Sequence, residues 1–119
     1  MLKTFGITKV AIVGSRDYKN LDQVKEFIEA FPEDTIIVSG GAIGVDTIAE
    51  EKAEELGLKI KIFFPDWAKF KKAAGPIRNK KIVDYADLVV AFWRKKSKGT
   101  GSTIKLALEA KKPIIIFSE

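Results

Sequence analysis

The chain has 119 residues, of which 46% are hydrophobic, with a formal net charge of +5 and no cysteine or histidine. This length suits one compact core and is too short for two ordinary domains, so we expect a single domain over residues 1–119. Without cysteine there can be no disulfide and no thiolate zinc site. Without histidine the chain lacks the usual metal ligand and the usual general base at neutral pH. We therefore expect no cofactor and no metal site.

Nothing in the sequence indicates a membrane protein. No apolar run is long enough to cross a bilayer, and the N-terminal stretch MLKTFGITK lacks the apolar region of a secretory signal. The sequence also contains no internal repeat, low-complexity segment or linker. These features predict a cytoplasmic protein without a membrane partner.

Strand and helix patterns alternate along the chain. Short apolar runs predict five strands, at residues 9–13, 36–39, 59–64, 88–93 and 114–117. A first helix is predicted between a cap at Asn20 and Pro32, and a second one follows a glycine-rich stretch and stops at Gly57.

The second half of the chain continues this alternation. The pattern lapses over 65–75, which predicts a loop, and Pro76 suits the first turn of a third helix. A basic, glycine-containing loop is predicted over 95–102, before a last helix. Continuous apolar strands separated by helices predict a single three-layer, Rossmann-like α/β domain. Its five-stranded parallel sheet should have helices on both faces and the strand order 3-2-1-4-5.

The stretch TIIVSGGAIGVD, at residues 35–46, is the most informative motif. Its strand runs into Gly40 and Gly41, and Gly44 opens the following helix. Glycines let backbone N–H groups approach an anion closely, and the start of a helix stabilises negative charge. The motif therefore predicts a phosphate-binding element.

Positive charge gathers at the edge of the sheet where this motif lies. Ligands of open parallel sheets bind outside the carboxyl ends of the strands, where four loops of this chain should meet. Segments 66–81 and 94–98 hold ten of the 21 Lys and Arg residues and belong to this edge or to the helix leaving it. Lysine-rich stretches are usually solvated surface, but this placement favours an anion site, because clustered charge focuses the field.

These motifs resemble a known superfamily. GSR at 14–16 and SGGAIGVD at 39–46 resemble the SLOG superfamily of Rossmann-like nucleotide-binding proteins. Further segments resemble its YspA-type, YpsA-related branch, namely PDW at 65–67, AGPIRN at 74–79, ADLVVAFW at 86–93 and KGT at 98–100. The likeness covers nearly the whole chain and extends, more distantly, to the LOG phosphoribohydrolases and to the DNA-processing protein DprA.

The resemblance and the loop positions together predict a set of ligand-binding residues. They are Gly14, Ser15, Arg16, Asp17, Ser39, Gly40, Gly41, Ala42, Gly44, Asp46, Asp66, Trp67, Arg78, Asn79, Lys98, Gly99, Thr100, Ser102 and Thr103. Arg16 would be a bidentate partner for a phosphate. Asp46 would bond a ribose hydroxyl, although an acid in the first turn of a helix is also a routine dipole partner. Trp67 suits base stacking, whereas Trp93 suits structural cover.

Arg78 is the candidate catalytic residue. In the LOG-type enzymes a matching arginine helps to cleave the N-glycosidic bond of a nucleoside monophosphate. Those enzymes also carry a glutamate three residues after a Gly-Thr pair, and here that place is Thr103. The group expected to activate water or to stabilise an oxocarbenium ion is therefore absent, which favours binding over catalysis.

Three functions follow from the sequence. The favoured one is a module that binds or senses a nucleotide or a nucleotide derivative such as an ADP-ribose-like molecule. The first alternative is a nucleotide-processing hydrolase, acting on an N-glycosidic or phosphate bond with Arg78 as its electrophilic group. The second is single-stranded nucleic-acid binding, as the likeness to DprA suggests. Whether the protein forms a homo-oligomer stays open.

Overall fold

The computed structural model describes residues 6–119, so the first five residues of the domain predicted over 1–119 lie outside the described residues. Strands and helices alternate along the chain. The strands are β1 (Lys9–Gly14), β2 (Ile36–Ser39), β3 (Lys59–Ile62), β4 (Leu88–Trp93) and β5 (Ile114–Ser118). The helices are α1 (Leu21–Glu29), α2 (Val45–Glu55), α3 (Trp67–Phe70), α4 (Ala74–Tyr85) and α5 (Lys98–Glu109).

The five strands form one parallel sheet in the order β3-β2-β1-β4-β5. The central pair, β1 and β4, is in register from Val10 opposite Leu88 to Gly14 opposite Phe92. The chain moves outwards from β1 to β3 and then crosses back to β4, so the strand order reverses between β1 and β4. This arrangement confirms the fold and the strand order predicted from the sequence.

Alternate residues of β1 face opposite layers of helices. Val10 and Ile12 are fully buried in the core beneath α1 and α2, whereas Ala11 and Val13 belong to the core beneath α4 and α5. Burial on both faces is why the strand reads as a continuous apolar run rather than an alternating one. The sheet therefore holds the loops at its carboxyl edge on a packed, three-layer support.

Two segments predicted as loops, 65–75 and 95–102, are helical over part of their length. Residues 67–70 form α3, capped by Asp66, whose carboxylate accepts the backbone N–H of Lys69 at 3.1 Å. Four residues are too few for a periodic apolar pattern, so no helix could be predicted there. The start of α5 includes Gly99 and Gly101, which disfavour helix, and a Cβ at Gly101 would lie 3.2 Å from the ring of Trp93.

The start predicted for α1 at Asn20 and the stop predicted for α2 at Gly57 are both confirmed. The side chain of Asn20 accepts the backbone N–H of Gln23 at 3.2 Å and so caps α1. Gly57 follows the end of α2 with a φ of +73°, a left-handed conformation that glycine adopts without strain. Among residues 6–119, no helix is both long and apolar enough to span a bilayer.

Candidate functional site

A cavity of about 310 Å³ opens at the carboxyl edge of the sheet, beside the reversal of strand order between β1 and β4. Its walls come from the loops after β1 and β2, from one face of α4 and from the start of α5. The lining residues are Val13, Gly14, Ser15, Arg16, Asp17, Gly40, Ala42, Asp46, Arg78, Asn79, Ile82, Ser97, Gly99, Thr100 and Thr103. This is the position at which open α/β sheets bind ligands.

The β2–α2 turn needs glycines because neighbouring residues of the protein leave no room for a side chain there. A Cβ at Gly40 would lie 2.7 Å from the Nη1 atom of Arg78. Gly44 has a φ of +90°, and a Cβ there would lie 2.5 Å from the backbone carbonyl oxygen of Arg16. Gly41, with a φ of +69°, packs against the ring of Phe64. The turn is therefore closely packed against the β1 loop, β3 and α4.

Asp46 binds the N–H groups of this turn. Its Oδ2 atom accepts the backbone N–H of Gly40 at 3.1 Å and that of Ala42 at 3.2 Å. The side chain is buried, and burial raises its pKa to about 6, against the lowering effects of the two N–H donors and of the Arg78 charge. Two N–H groups that the sequence suggested for a phosphate are thus already paired with a carboxylate of the protein.

Arg78 spans the cavity from α4 to the glycine turn. Its Nη1 atom donates to the carbonyl oxygen of Gly40, and its Nε atom donates to the Oδ1 atom of Asn79 at 2.8 Å. Burial lowers the pKa of Arg78, the nearby charge of Arg16 lowers it further, and Asp46 opposes both. The guanidinium groups of Arg16 and Arg78 therefore act on one another across the same cavity.

Ser15 ties the β1 loop to the start of α5. Its hydroxyl oxygen accepts the backbone N–H of Arg94 at 2.9 Å and is hydrogen-bonded to the hydroxyl of Ser97. Asp17, at the rim, accepts a hydrogen bond from Arg94 Nη1 at 2.6 Å, which lowers its pKa. These contacts hold the two walls of the cavity together.

The cavity brings together most, but not all, of the residues predicted from the sequence. Those on its wall are Gly14, Ser15, Arg16, Asp17, Gly40, Ala42, Asp46, Arg78, Asn79, Gly99, Thr100 and Thr103. Those outside its lining are Ser39, Gly41, Gly44, Asp66, Trp67, Lys98 and Ser102. Ser39 is fully buried, and its hydroxyl donates a hydrogen bond to Glu50, which links the end of β2 to α2.

Three lining residues were not predicted, namely Val13, Ile82 and Ser97. Ile82 lies four residues after Arg78 on α4, so helical spacing could have placed both on one face. Val13 precedes Gly14 at the end of β1, and Ser97 comes directly before α5. None of the three carries a charge, so only their position near predicted site residues could have indicated that they line the cavity.

Exposed aromatic rings flank the cavity on the β3 side. Phe64 is 71% exposed and lies against Gly41 of the glycine turn. Trp67 is 56% exposed, and its ring lies 3.7 Å from where a Cβ at Gly75 would be, one helical turn before Arg78. Trp93, in contrast, donates its Nε1–H to the carbonyl of Ser97 at 2.9 Å. Trp67 is thus available to a ligand, whereas Trp93 is held within the structure.

The described part of the chain contains no group of three or more Asp, Glu, His or Cys side chains arranged to hold a metal ion. Asp46 and Glu50, both on α2, accept hydrogen bonds from neighbouring protein atoms. The chemistry that the cavity offers is therefore that of two guanidinium groups, one buried carboxyl group, hydroxyls and backbone N–H groups at the start of α5.

Fold and cavity together define a Rossmann-like α/β protein with an arginine-lined cleft at the carboxyl edge of its sheet. Residues 2–64 match the family described as DNA recombination-mediator protein A, and the chain belongs to this family. A relative of similar length, the Gene 61 protein of Mycobacterium phage D29, is 31% identical over 121 residues, which span 93% of this chain and 97% of that protein.

Two solved structures share the fold. DNA processing protein A (DprA) from Streptococcus pneumoniae superposes with a TM-score of 0.81 at 23% identity, covering 98% of this chain and 52% of that one. DNA processing protein A from Helicobacter pylori gives a TM-score of 0.67 at 24% identity, covering 98% and 68%. The present chain thus spans about half the length of the Streptococcus pneumoniae protein. At these identities the likeness establishes the fold.

Proposed function

We propose that this protein binds single-stranded DNA at the carboxyl edge of its sheet, with a phosphodiester group between Arg16 and Arg78. The observation that carries the proposal is that both cations line one cavity, close enough for the charge of Arg16 to lower the pKa of Arg78. Within residues 6–119, neither guanidinium group forms a salt bridge with a carboxylate. An anion seated between them would relieve their mutual repulsion.

The surface beside the cavity suits a single strand. Phe64 and Trp67 expose ring faces on which bases can stack, and such stacking tolerates any base sequence. The exposed lysines of the following segment, Lys69, Lys71 and Lys72, add positive charge for the backbone phosphates. A strand with one phosphate in the cavity would thus meet aromatic and basic groups on its way towards β3.

The family supports the same reading. The chain belongs to the DNA recombination-mediator protein A family, and the Helicobacter pylori structure was described for its single-stranded DNA binding mode. That protein is longer, and this chain covers 68% of it. We therefore propose for this chain the binding of a single strand only, and no further activity of the longer proteins.

The proposal is tested by fluorescence anisotropy with a labelled oligothymidylate at several salt concentrations. Affinity should fall steeply with salt, because phosphate contacts release counterions. Arg16→Ala should weaken binding and reduce the salt slope by about one, while Lys25→Ala on α1 removes the same charge far from the cavity and serves as the control. A flat salt dependence, or equal effects of the two substitutions, would refute the proposal.

A second candidate is a nucleotide-sized ligand, as in the nucleotide-sensing module and YspA-type branch suggested by the sequence. The cavity volume of about 310 Å³ favours it, because small-molecule clefts begin at roughly this size. In this case residues 1–119 would act as a single nucleotide-binding domain. Thermal-shift measurements with nucleotides and ADP-ribose separate the two candidates. Only the nucleotide-binding candidate requires that a free mononucleotide stabilise the protein.

The hydrolase alternative places Arg78 beside a scissile bond in the same cavity. Thr103 lies on the cavity wall at the position where LOG-type enzymes carry a glutamate, and Asp46 is the buried carboxyl group nearby. Release of free base or ribose phosphate from a nucleotide panel decides this alternative. Ligand binding without turnover would remove it.

A further inference from the structure

Asp46 is a buried acid in a cavity that is also lined by Arg16 and Arg78. We propose that Asp46 couples phosphodiester binding in this cavity to proton uptake, so that the protonated protein binds the ligand more tightly than the ionised one. The inference rests on the proposed function and concerns the regulation of the same site. It follows from the position of the carboxyl group and from the groups that face it.

The geometry links Asp46 and Arg78 through one residue. The N–H of Gly40 donates to Asp46, and the carbonyl of the same residue accepts from Arg78. When ionised, Asp46 therefore acts as a built-in anion that uses the N–H groups of the turn and offsets the charge of Arg78. A phosphodiester entering the cavity would meet this negative charge at close range.

The charged groups facing Asp46 come from each neighbouring element. Arg78 on α4 favours the ionised form, and Glu50, one turn along α2, favours the protonated form. Arg16, from the β1 loop, acts on Arg78. Glu50 accepts the hydroxyl of Ser39, which fixes its carboxylate beneath the turn. A proton on Asp46 would leave the charges of both arginines for the ligand.

The composition makes the coupling measurable. The chain contains no histidine and no cysteine, so the side-chain types that ordinarily titrate near neutral pH are absent. Burial raises the pKa of Asp46 to about 6, whereas the pKa of Asp17, the other acid lining the cavity, is lowered by its bond to Arg94. Between pH 5 and 8 the two acids of the cavity should therefore behave differently.

The experiment measures the affinity for an oligothymidylate without terminal phosphates, because phosphodiesters do not titrate in this range. At constant salt, affinity should rise about tenfold as the pH falls from 8 to 5, since one unit charge close to the ligand is removed. Asp46→Asn should bind with little pH dependence and at least as tightly as the wild type at pH 8. Asp17→Asn should keep the wild-type pH dependence, whatever its own affinity.

A third variant gives a readout that a merely structural role would not move. Glu50→Gln keeps the length of the side chain and a partner for Ser39 but removes the neighbouring negative charge, so the midpoint of the pH dependence should shift to lower pH. Should Asp46→Asn fail to fold by circular dichroism, this shift decides the question, and an unmoved midpoint overturns the proposal.

The remaining outcomes separate the two proposals. Binding by the wild type that is flat between pH 5 and 8 overturns the coupling and leaves the DNA site standing. The same pH dependence in Asp46→Asn as in the wild type also overturns the coupling. No binding at any pH overturns both proposals.

Discussion

Gly44 and Arg16 are in direct backbone contact. Gly44 has a φ of +90°, and a Cβ built on it would lie 2.5 Å from the carbonyl oxygen of Arg16. The start of α2 and the loop after β1 therefore pack with no space for a side chain between them, and this contact fixes one corner of the cavity.

The first prediction concerns this contact. Gly44→Ala should lower the free energy of unfolding by about 2 kcal/mol or more, because the new methyl group meets backbone in a left-handed conformation. Gly75→Ala, in the first turn of α4, meets only the ring of Trp67 at 3.7 Å, so it should cause no loss of stability and could add up to about 1 kcal/mol, because alanine favours helix. Urea unfolding of both variants measures the difference, and equal losses would contradict it.

The second prediction is a pH dependence of stability caused by Asp46. Its folded pKa of about 6 lies above the ordinary value of an aspartate, which is about 3.9, so the folded state holds the proton more tightly. The stability that the neutral acid contributes should be present at about pH 4 and lost as the pH rises through 6. The free energy of unfolding of wild type minus that of Asp46→Asn should fall by on the order of 2–3 kcal/mol between pH 4 and 7. A constant difference would contradict the burial of this charge.

The third prediction concerns Asp87, at the opposite edge of the sheet. Its Oδ2 atom accepts the backbone N–H groups of Thr8 at 3.1 Å and Lys9 at 2.9 Å. Burial raises the pKa of Asp87, but these hydrogen bonds and the charges of Lys9 and Lys112 together outweigh burial, and the net effect is a lowered pKa. Asp87→Ala should therefore lower stability by roughly 1.5–3 kcal/mol at pH 7, a loss that shrinks as the pH falls below about 4.

Asp84→Ala provides the comparison for Asp87. Asp84 is exposed and forms a surface ion pair with Lys80 at 3.0 Å, so its removal should change stability by less than about 1 kcal/mol. Neither variant should alter oligonucleotide affinity, because both positions lie away from the cavity lining. Chemical unfolding at pH 7 and pH 3 measures the effects, and a larger loss for Asp84→Ala would contradict the assignment.

The fourth prediction tests base stacking on Trp67. Trp67→Ala should weaken oligonucleotide binding by roughly 1–3 kcal/mol, with Trp67→Phe retaining part of the affinity. Ligand should quench the wild-type fluorescence through this exposed ring, whereas Trp93, bonded to Ser97, should contribute little to the change. Leu108→Ala removes a similarly exposed apolar side chain near the far end of α5 and should leave affinity unchanged. Undiminished quenching in Trp67→Phe would place the strand elsewhere.

The sequence was most informative where burial is complete. β2 and β4 have the predicted boundaries, because strands covered on both faces read as unbroken apolar runs. It was least informative over α3 and the first turn of α5, where short length and glycines conceal helix. The carboxyl edge could be located from topology alone, and that is why most of the predicted residues line one cavity.

The detailed partners within the site could not be predicted. The motif contains Gly40, Gly41 and Gly44 in the spacing of a phosphate-binding turn, and spacing does not reveal that Asp46 accepts two of its N–H groups. Likewise, nothing in the sequence indicates that the hydroxyl of Ser39 is hydrogen-bonded to Glu50. Side-chain direction decides these pairings, and it depends on the packing of α2 and α4 against the sheet.

The loop after β1 is attached on both sides, through Gly44 to the start of α2 and through Ser15 to the backbone of Arg94. A ligand would therefore meet Arg16 on a backbone that is already ordered, and binding would cost little additional conformational entropy. The free protein should therefore already have the loop conformation that binds the ligand. Amide hydrogen exchange of Ser15 and Tyr18, whose N–H groups donate to backbone carbonyls, should accordingly be slow in the free protein and should change little when the ligand binds.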